Sequence, residues 1–531
     1  MCGFLALEKI IKDKELLKSE ADSIVHRGPD HTNYYSIDEA YLCFHRLAIM
    51  DLTDHGNQPF HSEQNGLHVM CNGEIYNDEI IKTDYKDRYD FISSSDCEVL
   101  IPMLMEYSLE MVCKNLDGEF AICGYNETSK KLFAARDPMG IRPLFYGYTK
   151  ENKKIAFSSE VKALKNICEN VKPFPPGYFY QDGEFKQFHD HCEVSSYVGE
   201  SAEDVFSEIR NLLEKAVIKR LHSDAPLGFL LSGGLDSSLV CAIAAKHLDK
   251  PIKTFSIGIK DGPIDTKYAQ IVADYLGTDH TEVLFTKEEM FEAIDHIVYS
   301  LETYDITTVR ASVGMYLLTK YIKENTSVKA LLTGEVSDEL FGYKYTDFAP
   351  SEKAFQDEAA KRIKELYIYD VLRADRCISA HSIEARVPFS DKHFVDYVMS
   401  IHPKVKMNST GVGKYLLRKA FDGTDFLPQD ILYRDKAAFS DAVGHSMVDY
   451  LKEYAEQKYS EAELVKAKEL YPHATPFTKE SLWYREMFES HFSGMAADLV
   501  KDFWMPNKEW ENCDVDDPSA RVLPNYGKSG Q

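Results

Sequence analysis

The chain has 531 residues, of which 44% are hydrophobic and 28% are charged, as in ordinary globular proteins rather than disordered ones. Lys and Arg number 61 against 86 Asp and Glu, which gives a net charge of −25. A chain this acidic repels phosphate backbones and anionic lipid, so neither nucleic acid nor a membrane is an expected partner.

Eleven scattered cysteines form no Cys-x-x-Cys pair. This pattern argues against a disulfide scaffold and against structural zinc, and it favours a reducing compartment. Polar residues near the N-terminus exclude a signal peptide, and serine, glycine and aspartate interrupt the most apolar stretch, Ala225–Ala245. We expect a soluble cytoplasmic protein.

Residues 2–190 are predicted to form a mostly β-structured domain with one helix near Asp96–Tyr107. The polar stretch Gln181–Glu200 is expected to hold the domain boundary. The expected strands are apolar runs between turn residues, at Leu67–Cys71, Phe120–Tyr125, Lys131–Ala135 and Pro143–Tyr148.

Residues 201–505 are predicted to form an α/β domain. It begins with an amphipathic helix over Ala202–Leu221, for which Ser201 is a plausible N-cap. Strands and helices then alternate, which indicates a parallel sheet with crossover helices, and the pattern is helical from Ala354 onward. Residues 506–531 are polar and are expected to be a flexible tail. The expected strands are Leu227–Leu231, Ile252–Ile259, Glu282–Phe285 and Lys329–Thr333.

Cys2 follows the initiator methionine, and a small second residue generally permits removal of Met1. The resulting N-terminal cysteine would have its own α-amine, with a pKa near ~7.7–8.0, as a general base. Arg46 is suited to bind a substrate carboxylate, although it is as well explained by a surface ion pair. Asn72 and Gly73 offer two donors for an oxyanion, or else form a hairpin turn, and Asp96 offers a carboxylate for an ammonium group.

Four motifs together resemble the glutaminase domain of class II glutamine amidotransferases, which have the N-terminal-nucleophile hydrolase fold, two antiparallel sheets between helices. The resemblance implies that Cys2 attacks the glutamine amide, that Asn72 and Gly73 form the oxyanion hole, and that Arg46, Glu74 and Asp96 bind the α-carboxylate and α-amine. The motifs are Cys2-Gly3, His26-Arg27-Gly28-Pro29-Asp30, Asn72-Gly73-Glu74-Ile75-Tyr76-Asn77 and Ser95-Asp96-Cys97-Glu98.

A strand, a Ser/Gly turn and a helix start at Gly228–Ser238 suit an anion, because glycines let the backbone approach it and a helix N-terminus donates to it. The run Ser-Gly-Gly-Leu-Asp-Ser-Ser resembles the pyrophosphate loop of the ATP pyrophosphatase family. Considered without the family resemblance, a second cluster, Thr333–Gly342, is typical of an acidic helix N-terminus. In context it resembles the second phosphate loop of asparagine synthetases.

This resemblance covers nearly the whole chain. It implies that Asp236 and Asp338 hold Mg²⁺, that Glu335 takes a proton from attacking ammonia, and that Lys436 neutralises phosphate charge. It further implies that Asp370, Arg373 and Arg386 bind aspartate, although each basic residue is also compatible with a surface salt bridge. The residues expected to bind ATP or pyrophosphate are Leu231, Ser232, Gly233, Gly234, Asp236, Ser237, Ser238, Ile257, Gly258, Gly334 and Ser337.

Three features depart from the family pattern, and one of them is Arg376, which replaces the usual lysine. Val336 stands where the family usually has glycine, and a β-branched residue is strained wherever φ is positive. Gly411-Val412-Gly413-Lys414 is an unusual sequence before the helix that follows it.

The sequence therefore predicts a glutamine-dependent asparagine synthetase with MgATP, glutamine and aspartate as small-molecule ligands. By family likeness we expect an apolar ammonia tunnel between two domains, and a homodimer. The alternatives are an amidotransferase of the same architecture that acts on another carboxylate, and a non-catalytic glutamine or nucleotide sensor.

Overall fold

The computed structural model describes residues 1–199, 201, 203–260, 262, 265–435 and 445–526. The chain divides into two compact units after His191. The first unit also includes two short segments that the sequence did not predict there, Ser223–Pro226 and Ser379–Glu384. Among the described residues, no helix is long and apolar enough to cross a membrane.

The first unit contains two six-stranded antiparallel sheets, with strand orders β10-β8-β9-β1-β3-β2 and β12-β11-β7-β6-β5-β4. Its helices are α1 Lys14–Asp22, α2 Asp78–Tyr85, α3 Leu100–Glu106 and α4 Leu109–Asn115. The strands are β1 Gly3–Leu7, β2 His31–Ile37, β3 Ala40–Arg46, β4 Phe60–Ser62, β5 Leu67–Ile75, β6 Gly118–Asn126, β7 Lys131–Arg136, β8 Phe145–Thr149, β9 Ile155–Ser158, β10 Cys168–Pro173, β11 Tyr178–Gln181 and β12 Glu184–Gln187.

Side-chain alternation along β5 explains how this unit packs. Met70 joins Phe4 and Phe44 in a core between the two sheets, whereas Val69 and Cys71 join a second core against α2, α3 and α4. Because successive side chains of a strand point to opposite faces, a strand buried on both faces is mostly apolar, as Leu67–Cys71 is. This confirms the predicted class of two antiparallel sheets with helices packed against them.

The second unit contains a five-stranded sheet of order β15-β14-β13-β16-β17, and the three pairings from β15 to β16 are parallel. The strands are β13 Leu227–Leu230, β14 Lys253–Ile259, β15 Asp279–Phe285, β16 Ala330–Leu332 and β17 Glu384–Arg386. The helices of the described chain are α5 Phe206–Lys219, α6 Leu235–His247, α7 Asp265–Leu276, α8 Lys287–Leu301, α9 Ile306–Asn325, α10 Ser337–Phe341, α11 Glu352–Glu365, α12 Asp370–Ser379, α13 Lys392–Ser400, α14 Pro403–Lys406, α15 Tyr415–Phe421, α16 Gln429–Leu432, α17 His445–Lys458, α18 Glu461–Leu470, α19 Lys479–Phe492 and α20 Ala496–Leu499.

Two expectations need correction. Helix α5, the first helix of the second unit, begins at Phe206 with Val205 as its N-cap, so Ser201 does not cap it. The segment after residue 505 is not a flexible tail as far as residue 526, because Trp510, Cys513 and Leu523 are buried in one apolar cluster. The burial of one aromatic and two apolar side chains stabilises a defined conformation of this otherwise polar segment.

Candidate functional site

Cys2 lies immediately before β1 in the first unit, and its surroundings fix it from two sides. Its Sγ atom accepts a hydrogen bond from the Leu47 N–H at 3.4 Å, and its carbonyl oxygen accepts one from Arg27 Nε at 2.8 Å. Gly28 lets the neighbouring turn pack against β3, since a Cβ there would lie 2.2 Å from the His45 carbonyl oxygen. The thiol therefore occupies a defined position.

With Met1 in place, burial keeps both N-terminal groups uncharged. It raises the pKa of the Cys2 thiol to about 11 and lowers the pKa of the Met1 α-amine to about 5. At neutral pH the thiol is therefore protonated, and the Met1 amine is a weak base for it. Removal of Met1 would place the α-amine on Cys2 itself, where it could act as the base.

Asn72 and Gly73 lie in β5. Asn72 is fully buried, and neither atom of its side-chain amide has a hydrogen-bond partner within the described chain. Leaving a buried polar group unpaired costs about 1–3 kcal/mol, so this amide is suited to bind a ligand or a water molecule. A Cβ at Gly73 would lie 2.2 Å from the Glu119 carbonyl oxygen, so only glycine fits.

The charged residues predicted to bind glutamine are buried at the end of β3 and in or beside β5. The Arg46 guanidinium donates to neutral acceptors, Thr53 O at 2.6 Å and Asn57 Oδ1 at 2.8 Å, and no ion pair neutralises it in the described part of the chain. Asp96 accepts from the Ile75 N–H at 2.7 Å, just beyond Asn72 in β5, and burial raises the pKa of its carboxyl group. Glu74 is buried in the same strand. A cation and two carboxylates suit a zwitterionic amino acid.

In the second unit, the segment from β13 to α6 has the predicted order of strand, turn and helix. Ser237 Oγ accepts from the Ser232 N–H at 3.2 Å, and Ser232 Oγ accepts from the Gly234 N–H at 3.2 Å. Gly233 has φ +71° and packs so closely on α7 that a Cβ would lie 2.4 Å from Ala269 N. The loop opens α6, whose N-terminus favours an anion.

The loop after β16 packs directly on this first loop. A Cβ at Gly334 would lie 2.8 Å from Ser237 N, and Ser337 Oγ donates to Asp236 Oδ1 at 2.8 Å. Two helix N-termini and two acidic residues, Asp236 and Asp338, therefore meet at the carboxyl ends of neighbouring parallel strands. This is the usual ligand position in an α/β sheet.

Lys414 lies between these acidic residues. Its Nζ atom is 2.7 Å from Asp236 Oδ1 and 2.5 Å from Asp338 Oδ1, and it donates to Ser337 Oγ at 3.0 Å. Lys414 has φ +55° immediately before α15, and its side chain is almost fully buried. The ammonium group neutralises two carboxylates that would otherwise repel each other.

A cavity of about 250 Å³ opens over the two loops. Ile257 of β14 lines it, as do Leu230 and Phe255, so it offers an apolar side beside the anion-binding loops. The predicted residues that line it are Leu231, Ser232, Gly234, Asp236, Ser237, Ile257, Gly334, Glu335, Asp338, Asp370 and Arg373. Gly233, Ser238, Gly258 and Ser337 do not line it, although Gly233 and Ser337 shape the loops that do.

Arg373 is the basic residue of this cavity best placed to bind the carboxylate of a ligand. One terminal nitrogen donates to Glu335 at 2.7 Å and to Asp370 at 2.9 Å. Its Nε and Nη1 atoms are buried and have no hydrogen-bond partner in the residues that the structure describes. Burial alone would lower the pKa of Arg373, but Glu335 and Asp370 raise it above its ordinary value, so the guanidinium stays charged.

Comparison with known proteins assigns both units. A family model described as a glutamine amidotransferase domain matches residues 1–179, and one described as asparagine synthase matches residues 208–362 and 347–515. Glutamine-hydrolysing asparagine synthetase 3 of Arabidopsis thaliana is 42% identical over 518 residues, which are 94% of this chain and 88% of the relative. The chain belongs to the family of glutamine-hydrolysing asparagine synthetases.

Relatives from distant organisms match over the full length. A probable asparagine synthetase of Schizosaccharomyces pombe is 40% identical over 562 residues, 99% of each chain. The asparagine synthetase of Homo sapiens is 38% identical over 566 residues, again 99% of each chain. The family resemblance inferred from the motifs is thereby confirmed.

One predicted ligand of this synthetase family member is not brought to the cavity. Arg386 is fully buried and donates to the carbonyl oxygens of Arg220 at 2.9 Å and His222 at 2.6 Å. These contacts tie β17 to the chain just beyond α5, so we correct its assignment to the aspartate site. Lys436 lies outside the described residues.

Some cavity residues could not be found from the sequence. Arg310, Arg418 and Arg434 line it beside Lys414. Arg434 donates to Asp265 at 2.6 Å, and its guanidinium lies 3.7 Å from the centre of the Tyr268 ring. The one available signal was the Gly411-Val412-Gly413-Lys414 sequence, since paired glycines before a helix permit an unusual backbone.

The expected strain at Val336 is present. This residue has φ +80° and ψ −23°, the left-handed conformation, and its side chain is buried. Non-glycine residues pay roughly 1–2 kcal/mol for this conformation, and β-branched residues are the least tolerant of it.

This conformation predicts that glycine at position 336 is more stabilising than alanine, the reverse of the order within a helix. Val336→Gly and Val336→Ala remove the same buried methyl groups, but alanine keeps a Cβ in the left-handed region. We expect the glycine variant to have the higher free energy of unfolding in urea, by about 1 kcal/mol. The same pair at Val309, within α9, should show the ordinary order with alanine higher. A more stable alanine variant at position 336 would contradict the observed backbone conformation.

Proposed function

We propose that this family member makes asparagine from aspartate, ATP and glutamine. The observation that carries the proposal is the second-unit cavity, where two loops suited to anions lie beside the Arg373 guanidinium, whose Nε and Nη1 have no partner in the described chain. Phosphates and an acceptor carboxylate would therefore lie side by side. A second site, around Cys2 and Asn72, has the features that hydrolysis of an amide requires.

In the first site, the Cys2 thiol attacks the glutamine amide carbon while the adjacent α-amine takes its proton. The developing oxyanion is stabilised by the Asn72 amide and the Gly73 N–H, donors of the kind that contribute about 10²–10³ in rate. The Arg46 guanidinium binds the α-carboxylate, and Glu74 and Asp96 bind the α-ammonium group. Ammonia leaves, and water releases glutamate from the thioester.

In the second site, Arg373 orients aspartate so that its β-carboxylate attacks the α-phosphorus of ATP and pyrophosphate leaves. The loops around Ser232–Ser237 and Gly334 hold the phosphates, while Ile257 contacts the adenine side. Ammonia then attacks the β-aspartyl adenylate, Glu335 takes a proton, and AMP leaves. Keeping ammonia away from bulk water would preserve it as the neutral nucleophile.

Asp236 and Asp338 are suited to hold Mg²⁺. Their oxygens converge on one point now neutralised by Lys414 Nζ, and one or two carboxylates with substrate phosphates are the ligands this ion prefers. Bound there, the ion would neutralise charge on the phosphates as adenylation proceeds. The homodimer, the cytoplasmic location and the ammonia tunnel stay predictions.

The test incubates the purified full chain with MgATP, aspartate and glutamine and measures four products together. Asparagine, glutamate, AMP and pyrophosphate should form in equal amounts. Glutamate with neither asparagine nor AMP would show that the acceptor is another carboxylate. Absence of all four would favour the sensor.

Arg373→Lys tests the acceptor assignment. Lysine keeps the charge beside Glu335 but loses the forked hydrogen bonds, so KM for aspartate should rise by about 10–100-fold while KM for ATP stays nearly unchanged. Arg376→Lys is the matched control, since Arg376 lies one turn further along α12 and donates to Glu302 at 2.8 Å, away from the cavity lining. An unchanged KM for aspartate in Arg373→Lys would remove Arg373 from the site.

A further inference from the structure

Residues 503–526, here called the C-terminal strap, form part of the wall of the second-unit cavity. The strap follows α20 and contains little regular secondary structure. Family likeness alone did not indicate a role for it, and its polar composition predicted flexibility. The strap residues that line the cavity are Trp504, Pro506, Pro518, Ser519 and Leu523.

The beginning of the strap is anchored to the residue that caps α9. The Trp504 N–H donates to Asp305 Oδ1 at 2.6 Å, and Asp305 accepts from the Thr308 N–H at 2.8 Å. The Arg362 guanidinium lies 4.6 Å from the Trp504 ring centre and donates to Met505 O at 2.6 Å. These contacts hold the strap where it enters the cavity wall.

The middle and end of the strap are held by apolar packing. Trp510, Cys513 and Leu523 are buried with Tyr345 and Phe355 in one cluster. Tyr345 itself lines the cavity. The strap is therefore continuous with the core of the unit.

Asp517 connects the strap to a charged residue of the cavity. Arg310 Nη1 donates to Asp517 Oδ1 at 3.0 Å, while its other nitrogens bind both oxygens of Glu480 at 2.8 and 2.6 Å. Lys452 of α17 also forms an ion pair with Asp517. Burial alone would raise the pKa of Asp517, but the Arg310 guanidinium holds it far below its ordinary value. Asp517 is thus an anion clamped between two cations.

We propose that the strap excludes water from the activated aspartate and that Asp517 is the positioning residue that keeps it closed. The inference rests on the proposed function. The β-aspartyl adenylate has two fates: ammonia yields asparagine and AMP, whereas water yields aspartate and AMP. A cavity wall that excludes water favours the reaction with ammonia. The strap thus sets how much ATP is used for each asparagine.

The test compares Asp517→Asn with Asp516→Asn in the full chain. The second variant makes the same charge change at an exposed neighbouring residue. We expect Asp517→Asn to raise the ratio of AMP to asparagine from one to about three or more, because the ion pairs that hold the strap to Arg310 and Lys452 are lost. In H₂¹⁸O, label should enter the aspartate or AMP recovered. Asp516→Asn should keep a ratio of one.

The outcomes separate the two proposals. If the unaltered chain makes neither asparagine nor AMP, the proposed function fails. If the unaltered chain couples one to one and Asp517→Asn does too, the strap inference fails. Retained glutaminase activity reports that the first unit is intact. If Asp517→Asn does not fold, Lys452→Met loosens the same carboxylate from the solvent side, and an unchanged ratio there would overturn the inference.

Discussion

Replacing Cys2 by alanine is expected to abolish asparagine synthesis from glutamine, by a factor on the order of 10⁴ or more. The nucleophile is lost, and the other thiols near Asn72, those of Cys71 and Cys97, are buried. Synthesis from ammonium chloride should continue, because the adenylation cavity belongs to the other unit. The measurement is asparagine formed with each nitrogen source, together with glutamate release.

Cys192→Ala is the matched control. Cys192 is the other cysteine that is partly exposed, and its Sγ donates to Ala360 O at 3.6 Å in the second unit. Both activities should survive this change. Glutamine-dependent synthesis in Cys2→Ala above a hundredth of the original rate would show that another residue attacks the amide.

Replacing Lys414 by methionine is expected to lower adenylation by about 10²–10³-fold with either nitrogen source. Charge-stabilising donors in a buried site contribute about this much, and Lys414 lies between the two loops that we propose to hold the phosphates. Glutamate release at the first site should continue. The measurement is pyrophosphate formed from MgATP and aspartate.

A metal-binding readout separates this role from a structural one. Removing the ammonium group leaves Asp236 and Asp338 without a counter-charge, so Lys414→Met should bind Mg²⁺ more tightly in the absence of nucleotide. Lys419→Met serves as control, because Lys419 lies on α15 but pairs with Asp422 at the surface. Pyrophosphate formation within threefold of the original would contradict the role of Lys414.

Local sequence was enough to predict what depends on neighbouring residues. The apolar run that begins β5, the strand and turn before α6, and the strain at Val336 all follow from short-range geometry. The loop around Ser232–Ser237 was predicted for the same reason, since backbone donors need only a few consecutive residues.

What depends on distant residues could not be predicted. Lys414 reaches Asp236 across 178 positions, and although the glycines before Lys414 mark an unusual backbone, they do not identify Asp236 as its partner. The family resemblance assigned Arg386 to aspartate, because arginine is suited to bind a carboxylate. The sequence does not show that its guanidinium binds the carbonyl oxygens of Arg220 and His222 instead. The strap was misjudged since Trp510 and Cys513 gain burial only when Tyr345 and Phe355 are in place.

Glutamine labelled with ¹⁵N at the side-chain amide gives the most direct test that the two sites serve one reaction. The full chain is supplied with MgATP, aspartate, labelled glutamine and an equal concentration of unlabelled ammonium. We predict that most of the asparagine formed carries ¹⁵N in its amide, with one AMP for each asparagine. Unlabelled asparagine, or labelled ammonia released without asparagine, would contradict the account.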